Sequence, residues 1–163
     1  MRRVLIAVVG PGEGAPLGLI SDAREVGTAV AAAGWALVTG GLMYGVMDAA
    51  SRGAQEAGGL VLAVIPGTNP ADATPHAEVV IPTGLGEGRD ALLAYAADAM
   101  VVCGMSSGTA AEVALALRVG KPVVLVRPEN IDAEFFHDLA PDAPPHVVAD
   151  ADEVVRHLRV LLA

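Results

Sequence analysis

Uninterrupted apolar runs alternate along this chain with longer amphipathic stretches, and turns rich in glycine separate the two. Residues 3–9, 36–39, 60–65, 99–103 and 122–126 are dominated by Val, Ala, Leu and Ile, with no polar residue at every second position. Such runs, bounded by turn residues, read as strands buried on both faces. Residues 78–81 and 146–148 look like shorter strands. Between them the spacing predicts a helix from about Leu17 to Ala33 stopped by Gly34, an Ala-rich helix from Val46 to Ala57 closed by Gly58 and Gly59, and a helix from Glu87 to Ala97. Further helices are predicted over Thr109–Val119 with Gly120 as the stop, over Ile131–Leu139, and after Asp150 as N-cap to Leu162. Thr68–Ala77 contains Pro70 and Pro75 and no apolar period, so it reads as a loop, mobile and able to cover a site.

Strands that alternate with helices at this spacing require right-handed crossovers and a sheet covered on both faces. The expected fold class is α/β, a Rossmann-like three-layer α/β/α sandwich with a mainly parallel sheet, over a single domain spanning residues 1–163. Ligands in such sheets sit beyond the carboxyl ends of the strands. The turns at 10–14, 40–45, 66–67 and 104–109 should therefore line one crevice.

Composition narrows the picture. Hydrophobic residues make up 53% of the 163 positions but aromatic residues only 3%, so Ala, Val and Leu must fill the core. The apolar runs fall well short of the roughly 18 residues that span a bilayer, so no membrane segment is expected. Met1-Arg2-Arg3 followed by Val4–Val9 has the look of a signal peptide, but the run stops at Gly10-Pro11-Gly12 and fits a first strand better. A lone cysteine, Cys103, excludes an internal disulfide and a cysteine-based zinc site, in keeping with a reducing, cytoplasmic setting. A net charge of −9 argues against extended nucleic-acid contacts, which need a Lys or Arg at each phosphate. Any phosphate recognised here belongs to a small molecule, held by backbone N–H groups and helix N-termini.

Few residues then stand out. Gly10-Pro11-Gly12-Glu13-Gly14 follows a strand, but its spacing departs from the dinucleotide fingerprint and it offers an acid where a pyrophosphate wants neutral backbone. Gly104-Met105-Ser106-Ser107-Gly108-Thr109 arrives where a helix begins, and suits a phosphate cradle. The same segment also reads as a capping box, with Thr109 bonding the N–H three residues on and Glu112 reaching back. Arg89 stands at a helix start, against the macrodipole, which points either to a functional role or to pairing with Glu87 or Asp90. Asp48 in the first turn of its helix is dipole-favourable. His76, His137, His146 and His157 show no metal spacing and read as surface residues, and Cys103 as a buried strand end.

Together, Val38-Thr39-Gly40-Gly41, Gly45-Val46-Met47-Asp48-Ala49-Ala50, Gly53-Ala54, Ala57-Gly58-Gly59 and Ile65-Pro66-Gly67 resemble the LOG-like (Lonely Guy) superfamily. Arg89, Ala97-Asp98-Ala99, Gly108-Thr109-Ala110-Ala111-Glu112 and Gly120-Lys121-Pro122 extend the resemblance, which covers about residues 4–126 and is nearest to the molybdenum-cofactor-carrier-like branch. It implies a homodimer or homotetramer, with Ala-rich helices such as 46–57 and 91–97 as interface, and a phosphate or nucleotide site. The positions it points to are Gly10, Gly12, Gly40, Gly41, Gly45, Val46, Met47, Asp48, Pro66, Gly67, Ser106, Ser107, Gly108 and Thr109. In phosphoribohydrolase members the residues matching Arg89 and Glu112 act on the N-glycosidic bond of a nucleoside 5′-monophosphate, releasing free base and ribose 5-phosphate with no cofactor or metal. Here Gly104-Met105-Ser106 stands where Pro-Gly-Gly is usual, and a Met at positive φ would be strained. The lysine decarboxylase label common among such proteins needs a crevice lysine for pyridoxal phosphate. Lys121 follows a helix and precedes a strand, which puts it at the opposite edge. Two functions remain open: a hydrolase, and a non-catalytic carrier or sensor of a nucleotide or molybdopterin-type ligand.

Overall fold

The computed structural model describes residues 2–163; Met1, part of the signal-peptide pattern, lies outside the described residues. The apolar runs pair as strands β1 (Leu5–Val9), β2 (Ala36–Thr39), β3 (Val61–Ile65), β4 (Val79–Pro82), β5 (Ala99–Cys103), β6 (Val123–Val126) and β7 (His146–Val148). They form one sheet in the order β4-β3-β2-β1-β5-β6-β7, and every neighbouring pair is parallel. Helices α1 (Leu17–Ala32), α2 (Gly45–Glu56), α3 (Arg89–Ala96), α4 (Ser107–Arg118), α5 (Asn130–Leu139) and α6 (Ala151–Leu161) cover it. Because successive side chains point to opposite faces, the central strand β1 serves both layers. Ile6 and Val8 pack with Val26 and Val30 of α1, Ala50 of α2 and Leu158 of α6, while Ala7 and Val9 pack with Leu93 of α3, Val113 of α4 and Phe136 of α5. The chain leaves β1 for a helix on one face and β5 for a helix on the other. The gap between the carboxyl ends of these adjacent strands is the switch point where such sheets bind ligands.

The glycines and alanines of α1 and α2 find their reason inside the chain. A Cβ on Gly27 would overlap the carbonyl of Ala50, and one on Gly53 would overlap the carbonyl of Arg24. The two helices therefore pack backbone to backbone, and Val46, Ala49, Ala50, Gly53 and Ala54 are buried between α1 and the sheet. One face of the helix expected to serve as an intermolecular surface is thus taken up inside the chain.

The segment 68–77 is also not the free cover expected. Asn69 caps the 3₁₀ turn Pro70–Asp72 by accepting from the Ala71 N–H at 3.2 Å, and Ala73 pairs with Leu42 in an antiparallel bridge. The Thr74 N–H donates to the Gly41 carbonyl at 2.7 Å, and its hydroxyl donates to Asp48 Oδ1 at 2.7 Å. Proline-rich sequence here marks a pinned crossover from β3 to β4. At the amino edge, Asp98 accepts from the Leu5 N–H at 2.9 Å, and Lys121 lies close enough to lower the Asp98 pKa. Lys121 is thus far from the carboxyl ends, as its position in the sequence implies. No helix among the described residues is long and apolar enough to cross a membrane.

Candidate functional site

At the carboxyl end of β1 the chain turns through Gly10, where a Cβ would overlap the Cys103 carbonyl and come within 2.7 Å of the Val46 side chain. Glycine at this position lets the first turn cross directly over β5. Gly45 (φ 65°) and the fully buried Val46 support that turn from behind: the Val46 N–H donates to the Pro11 carbonyl at 3.0 Å, and a Cβ on Gly45 would overlap the carbonyls of Pro11 and Gly12.

On the other side of the gap, α3 delivers Arg89. Its side chain is only 11% exposed. Nη1 donates to the carbonyls of Gly40 and of Val64, the latter at 2.9 Å, and Nε donates to Asp90 Oδ1 at 2.9 Å. The cation that opposes its own helix dipole is held by carbonyls at the ends of β2 and β3 and by its neighbouring carboxylate. Arg89 therefore pairs with Asp90, as one reading expected, and also lines the crevice. A Cβ on Gly40 would overlap this guanidinium at 2.5 Å, so glycine there makes room for it.

The N-terminus of α4 closes the third side. Ser106 is extended (φ −145°, ψ 173°) and its Oγ accepts from the Thr109 N–H at 3.2 Å, with the two hydroxyls 2.9 Å apart. The cap is Ser106 and the helix starts two residues before Thr109, which corrects the capping box centred on Thr109 and Glu112. Glu112 is released from any capping duty. It is 9% exposed and its carboxyl receives no hydrogen bond among the described residues. Burial pushes its pKa up to about 8, the nearby Asp90 carboxylate adds to the rise, and Arg89 opposes it. Burial likewise raises Asp90, against the pull of Arg89. Gly104 takes the left-handed conformation (φ 82°), and among the described residues the one non-glycine with positive φ is Arg127. Met105 is thus free of the expected strain and packs against the core beside α4.

These groups enclose an inner cleft of about 150 Å³. Gly10, Gly12, Gly40 and Met47 line one wall, Arg89 and Asp90 a second, and Ser106, Gly108, Thr109 and Glu112 the third. A wider depression of about 640 Å³ lies alongside, shares Arg89, Asp90 and Gly108, and adds Pro66, Glu87, Ser107, Ala111 and Leu115. Of the sequence candidates, Gly41, Gly45, Val46, Asp48 and Gly67 line neither space. Gly41 fits against Ala63 and Ile65, Asp48 holds Thr74, and the Gly67 carbonyl accepts from the Gly84 N–H at 3.0 Å. They shape the turns that others use. Asp90, Ala111 and Leu115 were not singled out as site residues; Asp90 had a signal in its place beside Arg89, the two apolar residues had none. A surface cavity of about 660 Å³ between α1 and α6 is comparable in size, but exposed side chains such as Arg24, Glu25 and Asp152 line it and no glycine turn reaches it.

Elsewhere, Cys103 is fully buried with its thiol pushed up to about 12 by desolvation, which removes it as a nucleophile at neutral pH. His146 and His157 are half-buried, with ring centroids 6.0 Å apart, instead of two separate surface residues. No group of three or more metal-ligating side chains converges among the described residues.

Glycine turns gathered at the switch point of a parallel sheet, a helix N-terminus and a buried Arg–Asp–Glu group define a Rossmann-type protein with a crevice at the carboxyl edge, where such sheets bind ligands. The chain belongs to the SLOG cluster4 family, whose family model matches residues 3–155. A protein of Archaeoglobus fulgidus is 35% identical over 128 residues, 78% of this chain and 83% of that protein. Among solved structures, the molybdenum cofactor binding protein of Rippkaea orientalis superposes with a TM-score of 0.96 at 33% identity, covering 100% of this chain and 99% of that one. The molybdenum cofactor carrier protein of Chlamydomonas reinhardtii gives a TM-score of 0.93 at 40% identity, covering 99% of each.

Proposed function

We propose that this protein is a carrier that holds a molybdenum-cofactor-type ligand in the crevice without turning it over. The observation that carries the reading is similarity over the whole chain, at 33% and 40% identity, to a molybdenum cofactor binding protein and a molybdenum cofactor carrier protein, and the state of Glu112 agrees with it. Stabilising an oxocarbenium-like centre, as nucleoside monophosphate hydrolysis requires, takes an ionised carboxylate. A carboxyl held neutral up to about pH 8 supplies little of that charge at pH 7. The cavities suit a ligand with an anionic end: the inner cleft offers the N–H groups at the start of α4 and the edge of Arg89 to an oxyanion, and the wider depression that borders it has room for the rest of the molecule.

The hydrolase reading keeps one point in its favour, since Arg89 and Glu112 do share a cleft. The test is purification from a host that makes molybdenum cofactor, with oxidation of bound pterin to a fluorescent product and metal analysis, alongside incubation of the protein with a panel of nucleoside 5′-monophosphates. Bound pterin with molybdenum and no released base is expected. Release of base by wild type but not by Glu112→Gln would overturn the carrier reading. The working unit is proposed to be a homo-oligomer, with exposed Leu92 and Tyr95 of α3 among its contacts; light scattering at the monomer mass would count against it.

A further inference from the structure

We propose that Glu112 acts in this crevice as a hydrogen-bond donor, its protonated carboxyl bonding an oxyanion of the ligand, so that wherever the empty site is ionised anion uptake takes one proton from solvent and release returns it. The inference rests on the carrier reading and says how that site is regulated.

The charge inventory of the inner cleft leads there. The ionisable side chains lining it are Arg89 and Asp90 from α3 and Glu112 from α4; the turn after β1 contributes glycine, α2 contributes Met47, and α4 adds the hydroxyls of Ser106 and Thr109. Glu87 stands at the rim and acts on Asp90. With both carboxyls ionised the three groups carry a net charge of about −1 where a dianion must enter, which is repulsive at the short separations of a cleft of about 150 Å³. Arg89 cannot cancel both, because its single positive charge faces two carboxylates and its Nε is already bound to Asp90. Adding a proton to Glu112 makes the cleft neutral and turns an acceptor into an O–H donor.

Glu112 is placed for this. It is nine-tenths buried, borders the cleft beside the α4 N-terminus, and has no hydrogen-bond partner among the described residues. No fully buried side-chain oxygen among the described residues lacks a partner, so the Glu112 carboxyl, which has none, opens onto the cleft where a ligand can meet it. Asp90 differs, since Arg89 already holds it as a carboxylate-type acceptor. The raised titration of Glu112 agrees with the geometry, because burial and the Asp90 charge both favour the protonated form.

The experiment is isothermal titration of the ligand-free protein with molybdate and with sulfate, both of which stay dianionic from pH 7 to pH 9. Expected is an affinity about tenfold weaker at pH 9 than at pH 7, with about one proton taken up per anion at the higher pH, read from parallel runs in buffers of different ionisation enthalpy. Glu112→Gln keeps a neutral donor, so its affinity should match wild type at pH 7 and stay level to pH 9. Binding by wild type with equal affinity at both pH values and no proton exchange overturns the hydrogen-bond-donor role and leaves the carrier reading standing. Loss of binding at pH 7 in a folded Glu112→Gln protein also overturns it. Failure of both anions to bind at either pH overturns the carrier reading and this inference together. If the variant does not fold, proton uptake by wild type decides the matter alone.

Discussion

Replacing Glu112 by Gln should make the ligand-free protein more stable, by an amount that grows with pH. The folded carboxyl holds its proton to about pH 8, whereas the same group in the unfolded chain releases it near its ordinary 4.5. Raised folded pKa means that the native state binds the extra proton, so stability is greatest below the unfolded pKa and falls as pH rises through the window up to the folded one. At pH 7 the penalty in wild type is about 3 kcal/mol, at pH 5 about 1 kcal/mol, and above pH 8 it levels off near 5 kcal/mol, taking roughly 1.4 kcal/mol for each pH unit between the two pKa values. Gln has nearly the same shape and no charge to bury. Glu112→Gln should therefore raise stability at pH 7 by about 3 kcal/mol, equivalent to a melting temperature about 10 °C higher for a domain of this size. Urea denaturation of both proteins at pH 5, 7 and 8.5, free of ligand so that binding does not add its own stabilisation, measures the gap directly. A variant no more stable than wild type at pH 7, or a gap that does not widen between pH 5 and pH 8.5, would refute the placement of Glu112 as an acid kept neutral by burial.

Gly27→Ala pushes a methyl into the Ala50 carbonyl and should cost about 2 kcal/mol in urea denaturation by forcing α1 and α2 apart, with no change in anion affinity at the far end of the sheet. Ser106→Ala removes the hydroxyl that caps α4 and should cost about 1 kcal/mol, and it should also weaken sulfate binding because the helix N-terminus it orders faces the inner cleft. Arg89→Lys keeps the charge but not the fork that reaches Gly40, Val64 and Asp90 together; a loss of about 2 kcal/mol in stability, with anion binding weakened, is expected from the same two measurements.

The strands were legible because each is an apolar run bounded by glycine or proline, and the parallel sheet followed from the alternation of periods. Helix starts were harder. At α4 the eye goes to Thr109, three residues before an acid, but Ser106 is the extended residue and accepts from the N–H of Thr109 itself, and only the backbone distinguishes the two caps. Glycines carried two messages that sequence spacing does not separate: Gly10 and Gly40 border the cleft, whereas Gly45 and Gly41 permit close contacts between turns behind it. The pairing of Arg89 and Glu112 in one cleft came from the resemblance and from the rule that strands present their carboxyl ends together. The charge balance with Asp90 and the lack of a partner for Glu112 are three-dimensional facts, since residues from two helices and three strand ends create them. The Ala-rich helix 46–57 looked like an intermolecular face because small apolar residues are common in both interfaces and close helix pairs; the α1–α2 contact accounts for Ala50 and Gly53 within the chain.

The central claim is that an oxyanion of the ligand lies in the cleft between the first glycine turn and the start of α4. Crystals grown with molybdenum cofactor or soaked in molybdate, with diffraction recorded at the molybdenum absorption edge, locate the metal without reference to any assumed pose. The account predicts an anomalous peak bounded by Gly12, Arg89, Gly108 and Glu112. A peak confined to another surface, or none at a concentration that saturates binding in solution, would contradict it.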